Sequence, residues 1–132
     1  MSYGKFDLVH FNNGLHGWEY TEDEYDAAFP DMIKAIRKNA PNAKLIWATT
    51  TPIRTGKYCE RLEERVARIV TRNEIAQKHI SKAKDIKTND LFNLILDHPE
   101  YFIGGDGVHP IDKGYQVLAE QVAKKILESL SE

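Results

Sequence analysis

The chain has 132 residues, 18 basic and 20 acidic side chains and a formal charge of -2. A chain of this length fits one domain, folding to bury roughly two thirds of the surface it exposes when unfolded. The near balance of charge provides no basic stripe for nucleic acid or an anionic membrane, and no apolar run approaches the ~20 residues of a membrane span.

In chain order, residues 6 to 11 form a short, mostly apolar run between Gly4 and the turn signal Asn12-Asn13-Gly14, which reads as a buried strand. His10 within it is expected to be a satisfied core histidine. Thr21-Glu22-Asp23-Glu24 has the form of a capping box, and Tyr25, Phe29, Met32, Ile33 and Ile36 recur at helical spacing, with Pro30 expected to interrupt or kink the helix. Pro41-Asn42 stops it, and Lys44 to Thr51 reads as a second buried strand leading into the Pro52-Ile53-Arg54 loop.

From about Cys59 to Lys82, the residues Leu62, Val66, Ile69, Ala76 and Ile80 make one apolar stripe; the opposite face, rich in Arg and Glu, is expected to be solvated. Asp85 to Leu91 predicts a third short strand, and Leu91 to Leu96 a brief helix before His98-Pro99. A closing helix carries Ile111, Tyr115, Leu118, Val122, Ile126 and Leu130 on one face. Strands alternating with helices, with no linker or repeat, imply one domain over residues 1–132 built on a parallel sheet.

The segment between the last two helices carries the chemistry. Asp106-Gly107-Val108-His109-Pro110 places a carboxylate three residues before an imidazole, so that a tight turn can bring them face to face. A general-base histidine needs its far ring nitrogen held in this way, to fix its tautomer and stabilise the imidazolium. The alternatives are a surface histidine at a helix start and an ordinary turn aspartate.

Asp-x-x-His-Pro followed by Gly114-Tyr115 and Leu118-Ala119 resembles the last conserved block of the SGNH (GDSL-type) hydrolase superfamily. A second stretch, Phe6 to Gly17, is similar to the family's third strand and its oxyanion loop. The family usually has Gly-x-Asn-Asp there, whereas this chain has Gly14-Leu15-His16-Gly17. The resemblance implies a flavodoxin-like, three-layer α/β/α fold and hydrolysis, by acyl transfer to water, of short-chain or acetyl esters of carbohydrate or lipid. It also implies that His109 is the base and Asp106 its partner, and that Gly14 and His16 donate to the oxyanion. No cofactor or metal is implied.

The family's Gly-Asp-Ser nucleophile block and its second block have no counterpart here. The serines are Ser2, Ser81, Ser129 and Ser131, none in that context. The sheet is therefore expected to be incomplete, lacking the family's first strands. The alternative function is an inactive relative that binds ligand or self-associates. The first predicted strand would then have an unpaired edge, open to a second copy or to an N-terminal complement.

Trp18 either lines the acyl or sugar pocket or simply packs. Arg54 is a candidate contact for an anionic or hydroxylated substrate, an exposed loop arginine being the default. Cys59, the single cysteine, cannot form an internal disulfide and opens a charged helix without a nucleophile motif. It suits a cytoplasmic setting, but a targeting segment upstream of Met1 would change that.

Overall fold

The computed structural model describes residues 5–54 and 62–132. Cys59, Ser2 and the start of the helix predicted from Cys59 lie outside these. Three strands, β1 (Leu8–Phe11), β2 (Lys44–Ala48) and β3 (Ile86–Asn89), alternate with helices α1 (Glu22–Asn39) and α2 (Leu62–Ala83). Two further helices follow, α3 (Leu91–Leu96) and α4 (Lys113–Ser131), with a 3-10 turn at Pro99–Phe102 between them. All pairs are parallel in the order β1-β2-β3, with Val9 opposite Leu45 and Leu45 opposite Ile86.

Side-chain alternation along the strands assigns the layers. Val9, Phe11, Leu45, Trp47 and Ile86 turn toward α1 and α2, where Phe29, Ala76 and Ile80 complete a buried cluster. The other face carries His10 and Asn89 and is met by α4. There Gln121 Nε2 donates to Asn89 Oδ1 at 3.1 Å, and the Asn89 amide nitrogen lies 3.1 Å from His10 Nε2. His10 thus has the partner expected of it, and its half-burial pushes its pKa below the ordinary value. The result is a three-layer α/β/α arrangement on an incomplete flavodoxin-like sheet.

Helix α1 begins at the capping box read from the sequence. Thr21 Oγ1 accepts from the Glu24 N–H at 3.2 Å, while the Thr21 N–H donates to Glu24 Oε2 at 2.8 Å. Pro30 does not interrupt this helix, which runs through it to Asn39. Contacts across the helix pair override the local preference: Phe29 is buried and stacks on the His79 ring of α2 at 5.2 Å, and His79 Nε2 meets Asp26 Oδ1 at 2.5 Å. The strands are shorter than the apolar runs that announced them. Residues beyond Phe11 and Ala48 leave the ladder to form the loops at the carboxyl ends of the strands, where ligands gather in open α/β sheets.

Candidate active site

The turn after the 3-10 segment is built around one carboxylate. Asp106 Oδ1 accepts from the backbone N–H groups of Val108 at 2.8 Å and His109 at 2.7 Å, and Oδ2 meets His109 Nδ1 at 2.6 Å. Gly107 between them has φ +82, a conformation that a side chain makes costly. The backbone donor at His109, then its ring, then the Val108 N–H hold the Asp106 carboxyl down at about 2. It is therefore ionised at neutral pH and acts as an acceptor toward Nδ1. That bond assigns the proton to Nδ1 and leaves the lone pair on Nε2. The His109 side chain is 65% exposed, so the ring is accessible, whereas Asp106 is 24% exposed beneath it.

Three loops converge beside this pair. A groove of about 220 Å³ is bordered by Leu15, His16 and Trp18 after β1, by Ile53 after β2, and by Val108 and His109. Arg65 of α2 completes it. Larger hollows of about 810 Å³, beside α2 and α3, and about 540 Å³, between β1 and α1, hold no histidine paired with a carboxylate. Of these three hollows, the smaller groove is the one bordered by the histidine that meets a carboxylate.

The sequence-predicted residues divide between wall and support. His16, Trp18 and His109 line the groove together. Trp18 borders the groove and also packs against the cluster of Ile53 and Ile69. Gly14 is buried behind the wall; a Cβ there would lie 2.3 Å from Thr50 Oγ1, so only glycine fits the close approach. Arg54 faces elsewhere: its guanidinium donates to the Leu96 carbonyl and lies 5.8 Å from the Phe102 ring centroid. Its backbone N–H donates to Gly107 O at 2.7 Å, which ties the loop after β2 to the His109 turn. This places Arg54 as a strut of the turn, because the carbonyl and ring under it offer a closer partner than the groove.

The solvated face expected of α2 requires correction at two positions. Arg72 is 1% exposed and donates to the carbonyls of His16, Gly17 and Tyr20, each at 3.0 Å, and to Glu22 Oε1 at 3.1 Å. Arg68 reaches the same Glu22 oxygen at 2.7 Å and the Trp18 carbonyl at 2.8 Å. Both guanidiniums lie 5.3 Å from the Trp18 ring centroid. Burial alone would raise the Glu22 carboxyl, but hydrogen bonds and charge from Arg68 and then Arg72 outweigh it and lower the pKa. A buried guanidinium is costly unless paired and hydrogen-bonded, and here the loop after β1 supplies the acceptors.

Among the described residues, no group of three or more His, Cys, Asp or Glu side chains could hold a metal ion. No described helix is long and apolar enough to cross a membrane.

A parallel sheet in an α/β/α arrangement thus carries a histidine–aspartate turn beyond the carboxyl ends of its strands. The sequence profile of the GDSL-like lipase/acylhydrolase family matches residues 3–122, and the chain belongs to that family. Its fold is similar to a candidate acylhydrolase from Bacteroides fragilis, with TM-score 0.75 and 24% identity over 94% of this chain and 62% of that one. A GDSL-like lipase from Bacteroides thetaiotaomicron gives TM-score 0.71 and 21% identity, covering 93% of this chain and 63% of its own. A carbohydrate esterase family 3 protein from Talaromyces cellulolyticus gives 0.69 and 20%, with 95% and 59% covered. The chain thus spans about 60% of the length of these solved relatives. No curated protein sequence matches it.

Proposed function

We propose that this chain carries the base and oxyanion parts of an ester-hydrolase site acting on short-chain or acetyl esters of carbohydrate or lipid. The observation that supports it most is the Asp106–His109 contact at 2.6 Å on the rim of a groove shared with His16. In this reading a serine hydroxyl from a Gly-Asp-Ser segment not among these residues attacks the ester carbonyl. His109 Nε2 takes its proton and later returns it to the departing alcohol, while Asp106 stabilises the imidazolium. Water then attacks the acyl-serine with the same base assisting. Donors of the Gly14 to His16 loop face the oxygen that becomes negative. A groove of about 220 Å³ favours a small acyl group, drug-sized ligands needing roughly 300 Å³ or more.

A second reading, ligand binding without turnover, draws on where the serines lie. Ser81 is on α2, and Ser129 and Ser131 are in the last turn of α4. The Ser129 carbonyl accepts from Lys44 Nζ at 2.6 Å, at the start of β2 and so at the end of the sheet opposite the groove. Fluorophosphonate labelling together with p-nitrophenyl acetate and octanoate turnover separates the readings. Acetate turned over faster than octanoate supports the ester hydrolase, with labelling only when a serine-bearing segment is supplied. Binding of acetyl esters with no turnover in either setting supports the ligand-binding reading.

A further inference from the structure

Arg72 is the single buried charged residue among those described. It interrupts a helix stripe on which Ile69 and Ala76 are both buried. Replacing a buried ion with an apolar side chain is often neutral or stabilising, so packing alone gives no reason for a guanidinium here. What it does is grip main-chain carbonyls of the loop that carries His16: Gly14 at 3.5 Å, His16 at 3.0 Å and Gly17 at 3.0 Å. Its guanidinium carbon lies over the Tyr25 and Trp18 rings, 5.2 and 5.3 Å from their centroids, and these rings restrict where the fork can point.

In a trans peptide the C=O and N–H point in opposite directions. The carbonyls of Gly14, His16 and Gly17 belong to the peptides whose N–H groups are those of Leu15, Gly17 and Trp18. With the oxygens drawn to Arg72, these three N–H groups face away from α2. None of them finds an acceptor among the described residues. The loop has two sides: Arg72 borders a hollow with His16 and Gly17, while Leu15, His16 and Trp18 face His109 across the groove. Donation from a cation also polarises an amide, strengthening its N–H as a donor.

We propose that Arg72 is a positioning residue that turns the amides of Leu15 and Trp18, two residues bordering the His109 groove, toward that groove as donors for the developing oxyanion. This rests on the ester-hydrolase reading and adds backbone donors to it.

The test compares wild type with Arg72→Lys, which keeps the charge but loses the fork, and Arg72→Leu, with circular dichroism confirming the fold. Two readouts are taken: amide spectra of ¹⁵N-labelled protein titrated with methylphosphonate as an oxyanion mimic, and His109-dependent hydrolysis of p-nitrophenyl acetate with the serine-bearing segment supplied. In wild type the mimic should move the amides of Leu15 and Trp18. In Arg72→Lys those shifts should vanish, and kcat should fall about 10²-fold with KM nearly unchanged, the scale of losing an oxyanion donor. If Arg72→Leu does not fold, Arg72→Lys alone decides.

Unchanged kcat per folded molecule, or amides that ignore the mimic while His109 responds to it, would overturn the inference and leave the ester-hydrolase reading intact. Wild-type hydrolysis that does not depend on His109 would remove that reading and the inference with it.

Discussion

Gly14→Ala is the sharpest test of how the loop after β1 is seated. The new carbon would lie 2.3 Å from Thr50 Oγ1 and 3.3 Å from Thr50 Cβ, the first about an ångström inside normal contact. Thr50 cannot easily retreat. Its Oγ1 accepts from Asn12 Nδ2 at 3.1 Å, its N–H donates to Asn73 Oδ1 at 2.8 Å, and its carbonyl accepts from Asn73 Nδ2 at 3.0 Å. Overpacking of this kind costs about 1–3 kcal/mol, and losing glycine's freedom in the unfolded chain returns about 0.4–1. A net loss of about 1–2 kcal/mol corresponds to a Tm lowered by roughly 3–8 °C in a domain of this size.

The same substitution in a Thr50→Ala background should cost almost nothing more, because the oxygen it meets is gone. Thr50→Ala alone loses one hydrogen bond, worth about 1 kcal/mol. Urea denaturation of the four proteins gives the coupling directly, expected at about 1–2 kcal/mol. Equal cost of Gly14→Ala in both backgrounds, or no cost in either, would refute the placement of the loop against Thr50.

Four further outcomes are expected. The Asp106 carboxyl should titrate near 2 by ¹³C resonance, and in His109→Ala its pKa should rise yet stay below the ordinary 3.8, since the backbone donor at residue 109 is its largest cause and survives the change. A carboxyl lowered by folding contributes stability that is complete above the unfolded value near 3.8 and lost as pH falls toward 2; Asp106→Asn should remove that part of the acid dependence in a pH series of melts. Gly107→Ala places a side chain at φ +82 and should lower stability by about 1–2 kcal/mol, with a matching loss of any His109-dependent rate; an unchanged Tm would contradict the turn geometry. Finally, β1 pairs only with β2 among the described strands, so sedimentation at micromolar concentration should show self-association, and a well-folded monomer would count against it.

The layered β-α-β order and the capping box were legible because each rests on local signals: apolar runs of strand length, helical spacing, and Thr21 three residues from Glu24. The Asp106–His109 turn was legible for the same reason, its partners being three residues apart. Arg72 was not, since its acceptors lie 50 or more residues away in sequence and only the fold brings them together. The signal was nonetheless present. Between Ile69 and Ala76 the apolar stripe skips a turn, and Arg72 falls in that gap, on the buried side rather than the solvated one. Arg54 escaped for a related reason, because a loop arginine has no periodicity to say which way it faces. At Pro30 the opposite holds, since the local signal for a break is overruled and the helix runs on beside the Phe29–His79 packing.

The most direct measurement is the rate of p-nitrophenyl acetate hydrolysis by wild type and His109→Ala, each supplied with the serine-bearing segment, at equal concentrations of protein shown to be folded. A general base at this groove predicts a fall of about 10²-fold or to the buffer rate. A variant that keeps the wild-type rate would contradict the assignment of His109 and Asp106 as the acid–base pair of an ester-hydrolase site.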